Sequence, residues 1–224
     1  MQERSEIGKI INMDIIVLLP VLFFSIVLHE FAHGFVAYRM GDDTAYLSDR
    51  LTLNPLKHVD MMGTLLVPAV CYLMGWPLFG WAKPVPVNPM RLPSPRKDMG
   101  KVAVAGPATN LLLAILFAGI LKLVLVLQGS FSARTVQALA YLFQYGILIN
   151  VFLAIFNLIP IPPLDGGRIV TALLPVQKAV WYDQVLGRFG MMIVFALILT
   201  GVVKYLLFPP AQLILAGIFK IFGF

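Results

Sequence analysis

His29, Glu30 and His33 are the residues with the most chemistry to offer. They form the stretch His29-Glu30-Phe31-Ala32-His33, in which two histidines lie four positions apart and a glutamate follows the first. In a helix, positions four apart differ by about 40° around the axis, so both imidazoles project from one face. Two imidazoles so placed can bind one Zn²⁺, and Glu30, on a neighbouring face, can serve as general base toward a water at the metal. The bland reading is three polar residues meeting by chance. The surroundings weigh against it, because the motif sits in an apolar run from about Ile15 to Tyr38. An ionisable residue at mid-membrane costs roughly 2.5–3.5 kcal/mol on insertion scales, so a cluster of them calls for a function.

The elements that must position these residues are set by composition. The chain has 224 residues, 59% hydrophobic and 12% charged, with mean hydropathy +0.88. A soluble domain carries about 25% charged residues, so this is an integral membrane protein. The net charge of +6 does not point to nucleic acid, since the basic residues fall mostly in loops between apolar runs. Cys71 is the single cysteine, which excludes an internal disulfide, and its apolar neighbours make it a small packing residue.

The fold class expected is an all-α polytopic membrane protein forming one domain over residues 1–224. It comprises about five spanning helices plus a re-entrant, β-containing membrane-associated segment. The polar start, Met1 to Asp14, has the charge of a signal peptide's first region. The run after it is too long for such a peptide and carries the histidine motif, so it is retained. Core helices are expected at about 15–40, 101–127 and 136–160, and C-terminal helices at about 189–207 and 210–222, with Pro209-Pro210 as the turn between them. Residues 45–100 form the re-entrant region. Its apolar run, Met61 to Met74, is short of the roughly 20 residues a span needs and contains Pro68. Pro84, Pro86 and Pro89 exclude a helix or central strand nearby and permit an edge strand or extended segment. The third core helix runs into Asn157-Leu158-Ile159-Pro160-Ile161-Pro162-Pro163-Leu164-Asp165-Gly166-Gly167-Arg168, where non-helical backbone must be covered by protein or water. Asp165 is either a third, oxygen ligand meeting the two histidines or an ordinary aspartate at a helix start.

Topology bears on that choice. If Met61 to Met74 spans the bilayer, the histidine pair and Asp165 fall at opposite sides. If it is re-entrant, both fall at the same end. The re-entrant arrangement puts 12 Lys/Arg on the side of the motifs and five on the other, against 11 and six for the spanning one. The positive-inside rule then makes the motif end cytoplasmic.

The chain resembles the site-2 protease family of intramembrane zinc metalloproteases. The resemblance rests on His29-Glu30-Phe31-Ala32-His33, on Gly106-Pro107-Ala108-Thr109-Asn110, and on Asn157 through Gly167 with its Leu164-Asp165-Gly166 core, in that order over nearly the whole chain. The segment Pro84 to Asn88 is similar to the family's membrane-associated β element. The resemblance implies that His29, His33 and Asp165 hold one Zn²⁺ per chain and that Glu30 is the catalytic base. It implies that Asn110 and Asn157 hold substrate or stabilise the reacting centre. It also implies a location in a bacterial cytoplasmic membrane. Gln128 to Arg134 leaves no room for an inserted PDZ-like domain, and no CBS domain precedes Phe224, so a minimal form is expected.

The function expected is regulated intramembrane proteolysis: hydrolysis of a peptide bond within or near the transmembrane segment of a single-span substrate in the lipid bilayer. Such a substrate must unwind locally, and its freed amides need partners. Val85, Val87 and Asn88 can supply them by strand addition, as can the side chains of Asn110 and Asn157. The rival for Asn110 is a helix–helix hydrogen bond. His58, the remaining histidine, reads as a loop residue near Asp60 rather than an extra ligand. Two other functions are a membrane metal transporter, for which the later helices offer few ionisable groups beyond Lys122 and Lys204, and a non-catalytic zinc-binding scaffold, for which Glu30 would be superfluous.

Overall fold

A computed structural model describes residues 2–75 and 80–224, with side chains for 19–75 and 80–224. Five helices are long and apolar enough to cross a membrane, spanning Leu19–Arg39, Pro95–Val126, Ala133–Asn157, Val176–Leu199 and Val202–Phe222. At 1.5 Å per residue each reaches about 30 Å or more, the depth of the hydrocarbon core. The protein is an integral membrane protein. Its exterior carries large apolar side chains such as Leu112, Leu116 and Leu213, as expected where the solvent is lipid.

The first span is the C-terminal part of α1 (Gln2–Arg39). The next two are α4 (Pro95–Val126) and α5 (Ala133–Asn157), joined by a short 3-10 turn. Ser132 caps α5, its hydroxyl accepting from the Thr135 N–H at 3.1 Å. Small residues on α4 let these helices approach: Ala114 and Ala118 are fully buried against Ile147 and Val151 of α5, and against Ala211 and Ile218 of α8 (Val202–Phe222). Apolar burial cannot drive helix association inside lipid, so close van der Waals packing over such small residues does.

Pairings along the helices fix their directions. His33 and Ser25 of α1 meet Val102 and Asn110 of α4 respectively, so α1 and α4 run antiparallel. Asn110 and Phe117 of α4 meet Asn150 and Phe143 of α5, so these two are antiparallel as well. The ends of α1 and α5 therefore lie together.

Between α1 and α4 the chain is short-range and irregular. It contains α2 (Thr44–Leu47), a 3-10 turn at Pro55–His58, and an apolar helix over Met61–Met74 whose first part is a π turn and whose second is α3 (Val67–Met74). The π turn passes into α3 at Pro68, which has no N–H to give, and the Gly63 carbonyl five residues before it accepts from the Trp81 N–H at 3.0 Å instead. Asp60 caps the start, accepting from the Gly63 N–H at 2.7 Å.

The expected β element is corrected here: the described residues contain no strand. Pro84 and Pro86 remove the donors of one edge of the segment only, and along its other edge no neighbouring strand lies among the described residues. Its remaining amides bond individually instead. Lys83 N–H donates to the His58 carbonyl at 2.9 Å, Val85 N–H to Glu30 Oε2 at 2.8 Å and Asn88 N–H to Asp42 Oδ2 at 2.6 Å. Arg50 holds the Lys83 and Pro84 carbonyls at 2.8 and 3.2 Å.

The C-terminal helices also differ from expectation. Beyond α6 (Asp165–Leu173), α7 (Val176–Leu199) begins at Val176 rather than near Phe189, because Lys178, Asp183 and Arg188 mask an otherwise helical stretch. The break before α8 falls at Gly201, whose φ of 71° ends α7 in the left-handed region. Pro209-Pro210 lies inside α8 and makes no turn.

Candidate metal centre

His29 and His33 sit one turn apart near the end of α1, and both are buried. Their Nε2 atoms are 3.1 Å apart. The third group arrives from the far side of the bundle. The chain leaves α5 at Asn157, turns through the prolines, and starts α6 with Asp165 in its first turn. The Asp165 Oδ2 atom lies 3.1 Å from His29 Nε2 and 3.3 Å from His33 Nε2. Gly166 and Gly167 matter here for room rather than for unusual dihedrals: a Cβ on Gly166 would meet the Leu158 and Ile159 carbonyls.

Protons decide what these three atoms do to one another. The Nδ1 atom of His33 is 2.7 Å from the Val102 carbonyl, which can only accept, so the ring proton of His33 sits on Nδ1. The Nδ1 atom of His29 is 2.6 Å from Asn110 Oδ1, and with that amide assignment its proton sits on Nδ1 too. Both Nε2 atoms then present lone pairs. Asp165 Oδ2 is buried, and the two Nε2 atoms are the polar groups within its reach. Three electron-rich atoms converge with nothing between them to share, which is the donor set of a cation site.

The spacing fits Zn²⁺. Nitrogen and oxygen ligands held about 2.0–2.1 Å from a tetrahedral zinc lie roughly 3.3 Å from one another. The three observed separations, 3.1, 3.1 and 3.3 Å, are close to that. Room has been left for an ion by Gly106 of α4. A Cβ there would stand 2.5 Å from the Nε2 atoms of both His29 and His33. In the sequence Gly106 is one member of the Gly106-to-Asn110 motif, with no role of its own marked by its residue type. The signal was a glycine followed by proline inside an apolar helix, which costs helix stability and so requires a packing or functional reason.

Glu30 is half-buried, and its Oε2 atom accepts from the Val85 N–H. Together with His29 it lines a cavity of about 190 Å³ whose other walls include Trp81, Asn157, Leu164 and Met191. A second, almost entirely apolar cavity of about 240 Å³, lined by Leu19, Leu22, Phe23 and Pro68, shares Ile26, Trp81 and Ala82 with the first.

The remaining expected site residues separate into two groups. Asn157 lines the cavity, and its amide nitrogen donates to the Leu153 carbonyl of its own helix at 3.0 Å. Val85, Val87 and Asn88 lie on the extended segment, with Val85 against Glu30. Asn110 is placed differently from a substrate contact. It has no exposed surface, and its bonds go to His29, Asn150 and the Ser25 carbonyl, so it faces protein. His58 is also fully buried, bonded to the Thr52 carbonyl at 2.9 Å, and belongs to none of the ligand atoms at the site.

The family model described as Peptidase family M50 matches residues 17–201. YwhC of Bacillus subtilis, provisionally named a zinc metalloprotease, is 38% identical over 206 residues, covering 92% of this chain and 90% of YwhC. Rip2 of Mycolicibacterium smegmatis, provisionally named likewise, is 34% identical over 179 residues, which cover 79% of this chain and 64% of Rip2. The zinc metalloprotease MJ0392 of Methanocaldococcus jannaschii is 27% identical over 210 residues, 92% of this chain but 48% of its own length. No solved structure matches the chain.

Proposed function

We propose, for a chain that belongs to peptidase family M50, the site-2 protease family, that it is a zinc metalloprotease cleaving a peptide bond within or near the transmembrane segment of a membrane-protein substrate. The observation that carries this reading is the convergence of His29 Nε2, His33 Nε2 and Asp165 Oδ2 beside a glutamate-lined cavity at membrane depth. Zinc, when held by these three residues, supplies a Lewis acid for the scissile carbonyl and brings the pKa of water down to about 7. Glu30 takes the proton of the attacking water and hands it to the leaving nitrogen. The Val85 N–H holds one oxygen of that carboxylate, which fixes its rotamer toward the cavity.

Substrate binding follows from what is left unpaired. Asn157 gives one amide N–H to its own helix, which leaves its Oδ1 atom to accept from a substrate amide and its second N–H to donate to a substrate carbonyl. Asn110 acts on the substrate through His29 and makes no contact with it. The extended backbone at Val85, Val87 and Asn88 offers main-chain partners to a locally unwound substrate. An unwinding helix reaches the site from the bilayer along the apolar cavity beside Leu22 and Phe23.

Residues 45–100 enter and leave on one side of the membrane, because α1 and α4 are antiparallel and Met61–Met74 is too short to cross. With Arg188 inside α7, 11 Lys/Arg lie on that side and five on the other, so it is the cytoplasmic one. Single cysteines introduced as Leu47→Cys and Lys97→Cys, in a Cys71→Ser background, therefore label with an impermeant maleimide from the cytoplasmic face only. Labelling from opposite faces would mean that the segment crosses, and external labelling of both would invert the orientation.

The test of the function itself is incubation of the purified protein with reconstituted single-span membrane proteins. Cleavage is expected, to be abolished by a zinc chelator and restored by added zinc. Cleavage that persists unchanged with all metal removed would overturn the assignment.

A further inference from the structure

We propose that Asn150 and Ser25 are positioning residues that set which nitrogen of His29 carries the proton, by dictating which way the Asn110 amide faces. The inference rests on reading His29 as a metal ligand and concerns residues that no motif includes.

The argument starts from groups that can only accept. The Ser25 hydroxyl lies 2.8 Å from the Val21 carbonyl, so its single proton is donated there. Its oxygen is then an acceptor, and Asn150 Nδ2 donates to it at 2.9 Å. The same nitrogen donates to the Gly146 carbonyl at 2.8 Å, another obligatory acceptor. With its nitrogen committed twice, Asn150 turns Oδ1 toward Asn110, whose Nδ2 atom donates to it at 2.9 Å. The Ser25 carbonyl, 3.4 Å from that Nδ2, favours the same orientation. Asn110 is left with only its oxygen for His29, at 2.6 Å from Nδ1. An amide oxygen has no proton to give, so His29 carries its proton on Nδ1 and presents a lone pair on Nε2.

Direction is therefore passed from backbone carbonyls, through three side chains, to one imidazole. Ser25, Asn110 and Asn150 have no exposed surface, so water cannot substitute for a missing link. If Asn110 were reversed, its NH₂ group would face His29 Nδ1 and move the ring proton to Nε2, where it would block the metal. His33 needs no such chain, because a backbone carbonyl, Val102, holds its Nδ1 directly. The two ligands are set by different means, and only His29 is sensitive to Asn150.

Nuclear magnetic resonance of the metal-free protein, labelled with ¹⁵N at its three histidines, reads the tautomer directly. Signals are assigned by single His→Gln substitutions. In the unsubstituted chain His29 is expected as the Nδ1–H form; finding it as Nε2–H overturns the proposal without any variant at Asn150. Asn150→Ala is expected to give a mixture of tautomers and to weaken zinc binding, measured by chelator competition, by about 10–100-fold, the usual effect of losing an outer-shell partner. In an Asn110→Ala background, Asn150→Ala should cause no further loss of zinc affinity. A full additional loss there, or unchanged affinity in the single variant, would show that Asn150 does not act through Asn110. Zinc binding by the unsubstituted chain separates the two ideas: its absence removes the metalloprotease reading, whereas normal binding with an indifferent Asn150 removes only this one.

Discussion

Glu30→Gln is expected to slow cleavage of a reconstituted single-span substrate by at least about 10²–10⁴-fold, the usual effect of losing a general base. The substitution keeps the size of the side chain, and its amide oxygen can still accept from the Val85 N–H, which Glu30 holds at 2.8 Å. Folding, membrane insertion and zinc content should not change, because Glu30 belongs to none of the three converging ligand atoms. Substrate should still bind. What disappears is the capacity to take a proton from water at neutral pH. The same substitution separates the rival functions: a transporter should lose little metal flux, and a scaffold should lose nothing. Equal cleavage rates for the two proteins, at matched zinc content, would remove Glu30 from the chemistry.

His29→Ala, His33→Ala and Asp165→Ala are each expected to reduce bound zinc from one per chain toward none after desalting. The Asp165 variant is the most informative of the three. Its Oδ2 atom is buried with only the two imidazole Nε2 atoms in reach, so in the metal-free protein it is a carboxylate that costs desolvation. Removing it should leave the metal-free protein as resistant to heat as before, or more so. The gain from added zinc should vanish, where the unsubstituted chain gains about 2.7 kcal/mol at a hundred times its dissociation constant. Thermal unfolding with and without zinc measures both effects. Full zinc retention by Asp165→Ala would mean that the third ligand lies elsewhere.

Local features of this protein were open to reading from its residues, and they share a physical origin. Membrane residence follows from the apolar fraction, which needs no knowledge of contacts. That His29 and His33 share a face follows from helical periodicity within one turn. Helix ends were less legible where the local signal conflicted with the lipid environment. Proline at 209 and 210 reads as a turn in water, yet it is carried inside α8, while Gly201 makes the break through its left-handed backbone. The polar residues early in α7 concealed its start in the same way.

Tertiary structure decided the contacts that join distant parts of the chain. Asp165 at the start of α6 is by residue type alone an ordinary aspartate; topology and resemblance pair it with the histidines, and the common end of α1 and α5 brings it within 3.3 Å of His33. The expected β element depended on a pairing partner, and with no neighbouring strand among the described residues the segment bonded to Glu30, Asp42, Arg50 and His58 instead. Asn110 shows the difference most clearly. Its residue type suits a substrate contact or a helix–helix bond equally well, and only the approach of Ser25 and Asn150 turns it away from the cavity and onto His29. The direction of a buried amide is set by the acceptors around it, and these belong to the two helices, α1 and α5, that pack against its own.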